Sequence, residues 1–253
     1  MTRMGLLLLV CLGAVAPLAA QPARNPLDYH GEEGTPEPLP SGPALMREVR
    51  GRLPTMPLRM SGFIRTREDG KDRDRLLVSE LRFGDSVPSA SYTLSDRFGA
   101  PLTVARVTWP RGRAVFEQWN ADGGKLPAPE PSAEVADTGL TWSDLSLSFL
   151  WWSGAEVVER DRVKSRVAYV VRIPAPESRE DVDTVRLWID RKALFIVKAE
   201  LLNAEGDLLK RIEVDSIKEI REGLWMVKDL KIRDEAGGRR MGIRFEEVEE
   251  LEE

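Results

Sequence analysis

Few side chains in this sequence could carry chemistry, and their spacing brings none of them together. His30 is the single histidine, and it sits in a polar, proline-rich stretch, which removes most acid–base and base-activated nucleophile arrangements. Cys11 is the single cysteine, so a zinc or copper site has almost no ligands to draw on. Gly123-Gly124 and Gly237-Gly238 lack the lysine and serine pattern of a phosphate loop and read as turns. Asp181 and Asp183 are close enough for acid–base work or calcium. A solvated loop accounts for them more simply. No catalytic constellation, metal or cofactor is expected, and the chain reads as non-enzymatic.

The stretch with a definite demand is apolar. TWSDLSLSFLWW, residues 141–152, holds three tryptophans, a phenylalanine and three leucines. Thr141 followed by Asp144, just after Gly139, is a helix-start signature of the capping-box kind, and Ser153-Gly154 is a plausible end. On that helix Trp142, Leu145, Phe149 and Trp152 form one stripe, with Leu147, Leu150 and Trp151 beside and behind it. Ser143, Asp144, Ser146 and Ser148 are left as a narrow polar strip. The aromatic side chains alone present on the order of 600–1,000 Å², more than a soluble monomer usually exposes in one patch. Either this helix is the core of a sheet-and-helix domain, or sheet and helix enclose a cavity for an apolar ligand.

What must position that helix is a set of strands. Period-two alternation runs through Leu58, Met60 and Ile64, then Leu77 and Leu81, Tyr92 and Leu94, Ala105 to Trp109, and Ala114 to Trp119. It resumes from Val163 to Ile173, through Val185, Leu187 and Ile189, from Phe195 to Leu201, from Leu208 to Val214 and from Leu224 to Ile232. Ten or eleven strands joined by short turns predict an antiparallel meander with one packed face and one wet face. A short helix is expected over Ala44 to Arg52, and residues 120–139 read as a long loop. Trp188 and Trp225 alternate onto the strand face opposite most aliphatics. They line a cavity only if that face is concave.

At the N-terminus, Arg3, an apolar run from Leu6 and the small residues Ala19-Ala20 form a secretory signal with cleavage expected after Ala20. Cys11 would leave with it. Residues 21–43 are rich in Pro, Gly and Glu and read as a flexible leader. One domain is expected over 44–253, its acidic end, FEEVEELEE, being frayed from about residue 246. The formal net charge is −5, with signs interspersed, which argues against nucleic acid and against a polybasic membrane patch.

With these elements placed, the C-terminal half resembles the bacterial outer-membrane lipoprotein-sorting proteins of the LolA/LolB-like group. The resemblance rests on TWSDLSLSFLWW, ERDRVKSRVAYVVRIPAPE (159–177), DTVRLWIDRKALFIVKAELLNAEGDLLKRIEV (183–214) and GLWMVKDLKIRD (223–234). It covers residues 140–234 well, 56–119 by pattern and the leader not at all. It implies a mainly β (α+β) fold: an open, curved antiparallel half-barrel whose concave face is plugged by a few short helices. It also implies a periplasmic carrier for the acyl chains of lipoproteins or lipids, loaded by an inner-membrane ABC transporter and unloaded to an outer-membrane acceptor. A monomer is expected. Trp142, Leu145, Leu147, Phe149, Leu150, Trp151, Trp152, Trp188 and Trp225 are the candidate acyl-binding residues. In that family an arginine near the start of the sheet holds the helical lid shut; the resemblance does not assign that role to Arg59 or to Arg65, and the Pro-rich leader points to a paralogue with other cargo. The alternative is a non-enzymatic envelope sensor or protein-binding module on the same fold, which a sealed core would favour.

Overall fold

The computed structural model describes residues 38–176, 182–221 and 224–252, and near the N-terminus a two-residue strand, β1 (Cys11–Leu12). The expected cleavage site, the leader up to residue 37, His30 and Asp181 lie outside the described residues.

After α1 (Gly42–Arg50) come two antiparallel meanders. The first is β2 (Leu58–Glu68), β3 (Lys71–Arg82), β4 (Ser89–Ser95), β5 (Pro101–Thr108), β6 (Val115–Asn120) and the short β7 (Lys125–Leu126). Its first hairpin turns on Asp69-Gly70, both at positive φ, the pairing that a two-residue hairpin loop favours. The second meander is β8 (Glu156–Val163), β9 (Arg166–Pro174), β10 (Thr184–Asp190), β11 (Ile196–Leu202), β12 (Leu208–Arg221), β13 (Leu224–Asp234) and β14 (Arg239–Glu250). The two join where β2 pairs with β14, giving one open sheet in the order 7-6-5-4-3-2-14-13-12-11-10-9-8. The antiparallel sheet with helices against one face is the fold class expected from the sequence.

One consequence of this order positions the site. β7 and β8 are consecutive in sequence yet form the opposite edges of the sheet. The chain between them, residues 127–155, must cross the whole face. It carries α2 (Trp142–Ser146) and a 3-10 turn at Ser148–Trp151, and it is the plug.

The core lies between this crossover and the sheet. Met60, Leu77, Leu81, Leu94 and Val107 of the first meander and Val171, Leu187, Ile189 and Ala199 of the second are at most 1% exposed. Full burial of such a side chain contributes about 1.5–3 kcal/mol. α1 closes one end with Leu45, Met46 and Val49, and Gly42 is required there because a Cβ would stand 2.1 Å from the Ala155 carbonyl oxygen.

Several expectations are corrected. β8 was not anticipated because only Val157 of its eight residues is buried, so an edge strand leaves almost no alternation to read. The strand placed from Val163 to Ile173 is interrupted by a turn at Lys164-Ser165, both left-handed. The acidic end is not frayed. Glu247 to Glu250 pair with Ser61 to Leu58 in the middle of the sheet, where Ser61 donates to Glu247 and Glu249 stands opposite Arg59. With β7, β8 and β14 added, the sheet path has thirteen strands.

Candidate functional site

The plug begins with the capping box that Thr141 and Asp144 foreshadow. The Thr141 Oγ1 accepts from the Asp144 N–H at 3.1 Å, and the Asp144 carboxylate accepts from the Thr141 N–H at 2.9 Å. The expected helix running to Ser153 is broken, however, at Leu147, which is left-handed (φ 48°). A leucine is seldom found there, so no glycine marked the break. After it the 3-10 turn swings Phe149 and Leu150 inward.

Trp142, Leu145, Leu147, Phe149 and Leu150 end between 1% and 3% exposed. The expected polar strip is buried too. Ser146 and Ser148 share a 2.6 Å hydrogen bond, and Asp144 forms an ion pair with Lys210 of β12, whose ammonium also reaches the Gly139 carbonyl at 3.4 Å. Asp144 and Lys210 side chains are 3% and 11% exposed.

The approach to α2 is fastened to the first meander. Thr66 Oγ1 donates to the Thr138 carbonyl at 2.6 Å, Arg75 Nε to that of Ala136 at 3.1 Å and Arg73 Nη1 to that of Asp137 at 3.1 Å. From β14, Arg239 pairs with Glu134, which also accepts from the Gly139 N–H. Burial pushes the Glu134 carboxyl upward, but the hydrogen bonds from Arg239 and Gly139 outweigh it and hold the group below its ordinary value. Arg59 and Arg65 pair instead with Glu80 and Asp74 on the sheet surface. The far end of the plug is met by Arg50 of α1, which donates to the Leu150 carbonyl at 2.8 Å and lies 5.9 Å from the Trp151 ring. Burial first, and then the neighbouring Arg47, lower the Arg50 pKa.

Beside that far end the surface opens into a cleft of about 740 Å³, within the ~300–1,000 Å³ range of small-molecule sites. Its walls are the β5–β6 turn from Pro110 to Phe116, Pro131, the plug residues Ser143, Ser148 and Trp151 to Ser153, and Pro174 to Pro176 at the end of β9. Trp151 stacks on the buried Trp109 at 5.3 Å, and Trp152 meets Phe149 edge-on at 6.5 Å.

Of the nine candidate residues, then, Trp151 and Trp152 line the cleft and the other five of the plug lie in the core behind it. Trp188 is buried, but on the face of β10 opposite Leu187 and the plug, where its Nε1 donates to Asp161 at 2.8 Å and Lys198 covers its ring. Trp225 is half-buried opposite Glu219, and Leu12 of β1 pairs with it. Asp183 accepts from the Thr184 hydroxyl. Among the described residues no group of three His, Cys, Asp or Glu could hold a metal, and no helix is long and apolar enough to cross a membrane. The wall from Pro110 to Arg113 was missed by sequence reasoning. Its only signal is a Pro-Arg-Gly-Arg turn, in which Arg111 and Gly112 both take positive φ.

A family model described as "Uncharacterized protein" matches residues 125–252, just over half of the chain and all of the plug, the cleft's plug wall and the second meander. The chain belongs to that family. No curated protein matches it significantly. Among solved structures, a DUF1329 family protein from Desulfovibrio piger is similar at a TM-score of 0.72 and 14% identity, over 83% of this chain and 91% of the other. An outer membrane lipoprotein-sorting protein domain from Vibrio parahaemolyticus aligns at 0.72 and 13%, over 84% and 94%. A LolA superfamily protein from Nitrosomonas europaea aligns at 0.67 and 12%, over 85% and 96%. At such identities the likeness concerns the fold, and the fold is LolA-like.

Proposed function

We propose that the protein is a periplasmic carrier that shields the acyl chains of lipoproteins, or of lipids, for transfer towards the outer membrane. The observation that carries this reading is the cleft opening onto the aromatic end of the plug, where Trp151 and Trp152 are half-buried while the plug residues before them are sealed. Each CH₂ left in water costs about 0.8 kcal/mol, so an acyl chain needs cover to cross an aqueous compartment. Aromatic and proline walls supply that cover without directional bonds, which suits a cargo that must leave again unchanged. The signal-like N-terminus and the LolA-like fold support a periplasmic location. An inner-membrane ABC transporter and an outer-membrane acceptor are the partners such a role needs.

Native mass spectrometry of the protein recovered from a bacterial periplasm tests this. A co-purifying lipid or acylated peptide, displaced by fatty acid and lost in a Trp151→Ala/Trp152→Ala variant that stays folded, is the expected result. A clean unliganded mass and no uptake of fatty acid would sink the carrier reading and favour a protein-binding module.

A further inference from the structure

The chain carries a net charge of −5, yet the residues lining the cleft include two arginines, Arg111 and Arg113, and no carboxylate. Both arginines are exposed, and neither makes an ion pair or side-chain hydrogen bond with the described residues. It sets them apart from the arginines that pair across the sheet. Arg65, Arg67, Arg166, Arg172, Arg239 and Arg244 all pair with carboxylates.

The turn that holds the two arginines is one of several in this fold with a non-glycine residue at positive φ. Pro110 fixes the entering backbone, Arg111 takes a left-handed conformation (φ 53°, ψ 31°) and Gly112 follows at φ 78°. A non-glycine residue in that region costs energy, and such strain gathers at ligand sites. Here it places two arginines, two residues apart, in the wall of one cleft. Next to them in sequence, Trp109 is 2% exposed with its indole N–H unpartnered among the described residues, and it stacks on the cleft residue Trp151. A cationic mouth backed by an apolar wall is the complement of an anionic amphiphile. Guanidinium forks match phosphate oxygens in particular, because they can bond two at once.

We propose that the cleft takes an anionic phospholipid, its phosphate on Arg111 and Arg113 and an acyl chain against Trp151, Trp152 and Phe116. The proposal rests on the carrier reading and sharpens it, since a phospholipid carries its anionic phosphate next to its acyl chains, as the two arginines stand next to the apolar wall.

The test compares two probes with the same myristoyl chain, lysophosphatidylglycerol and the uncharged monoglyceride, by quenching of tryptophan fluorescence. At low salt the anionic probe should bind about tenfold more tightly, the effect of two partly exposed charge-assisted contacts. An Arg111→Gln/Arg113→Gln variant should lose that preference while keeping the monoglyceride affinity; both side chains are exposed, and far-UV circular dichroism checks the fold. The single Arg113→Gln variant, which leaves the left-handed position alone, should lose part of it. Equal binding of the two probes by the wild type, or a preference that survives in the double variant, overturns this proposal and leaves the carrier reading standing. Binding of neither probe overturns both.

Discussion

Replacing Asp144 with asparagine should cost about 3–5 kcal/mol of stability at neutral pH, the penalty for leaving one member of a buried pair uncompensated. The substitution keeps the shape, and the amide oxygen can still accept the Thr141 N–H, so the capping box survives and the loss isolates the charge. Lys210, 11% exposed, then keeps only neutral acceptors: the amide oxygen, in place of the carboxylate oxygen that bonds both it and the Thr141 N–H, and the Gly139 carbonyl at 3.4 Å. Because both side chains are almost wholly covered, solvent screening that reduces exposed ion pairs to about 0–1 kcal/mol does not apply. Against a typical domain stability of about 5–15 kcal/mol, this is at least about a fifth of the total. Urea unfolding followed by tryptophan fluorescence should show a lower midpoint at unchanged slope. Lys210→Met should behave alike, and the Asp144→Asn/Lys210→Met double variant should recover most of the loss, since no buried charge remains. A single variant within about 0.5 kcal/mol of wild type, or a double variant whose loss equals the sum of the singles, would refute the claim that this pair fastens the plug to β12.

Burial pushes the Tyr92 phenol pKa upward and its hydroxyl has no partner among the described residues, so Tyr92→Phe should be neutral or stabilising by up to about 1 kcal/mol; a clear loss in thermal unfolding would contradict this. Glu134 is held below its ordinary value in the fold, so its contribution is present above the unfolded value of about 4.3 and fades as pH falls through the folded value. The stability difference between wild type and Glu134→Gln, measured by urea unfolding over a pH series, should therefore shrink in acid, and a difference constant across that range would remove the linkage.

The strands were legible where one face is buried and the other is not: Ala90, Tyr92 and Leu94, at most 1% exposed, alternate with the half-exposed Ser91, Thr93 and Ser95. Where that condition fails, so did the reading. β8 is an edge strand with one buried residue, and the end of β14 shows four carboxylates and a single valine, Val248, although it lies mid-sheet. The plug's apolar residues were plain from composition. Its internal break and the burial of Asp144 were not, since the first depends on a left-handed leucine and the second on Lys210, 66 residues away. The arginine mouth was hidden for a similar reason: Arg111 and Arg113 look like ordinary turn residues until the far ends of β9 and the plug are brought beside them.

The topology also separates what the fold compels from what it does not. A chain that ends one meander at the left edge of an open sheet and starts the next at the right edge must cross the face between, and a crossing segment without apolar residues could not bury that face. Trp142, Leu145, Leu147, Phe149 and Leu150 answer that demand and would be needed in a protein that binds nothing. By the same reasoning the approach to α2 needs polar fastening, and Thr66, Arg73, Arg75, Arg239 and Lys210 supply it by satisfying carbonyls and carboxylates that the crossing would otherwise strand. Nothing in the crossing requires two further tryptophans left half-covered, a strained Pro-Arg-Gly-Arg turn beside them, or a cleft lined by two arginines and no carboxylate. Function is therefore best sought at Arg111, Arg113, Trp151 and Trp152, where the sequence exceeds what folding asks of it.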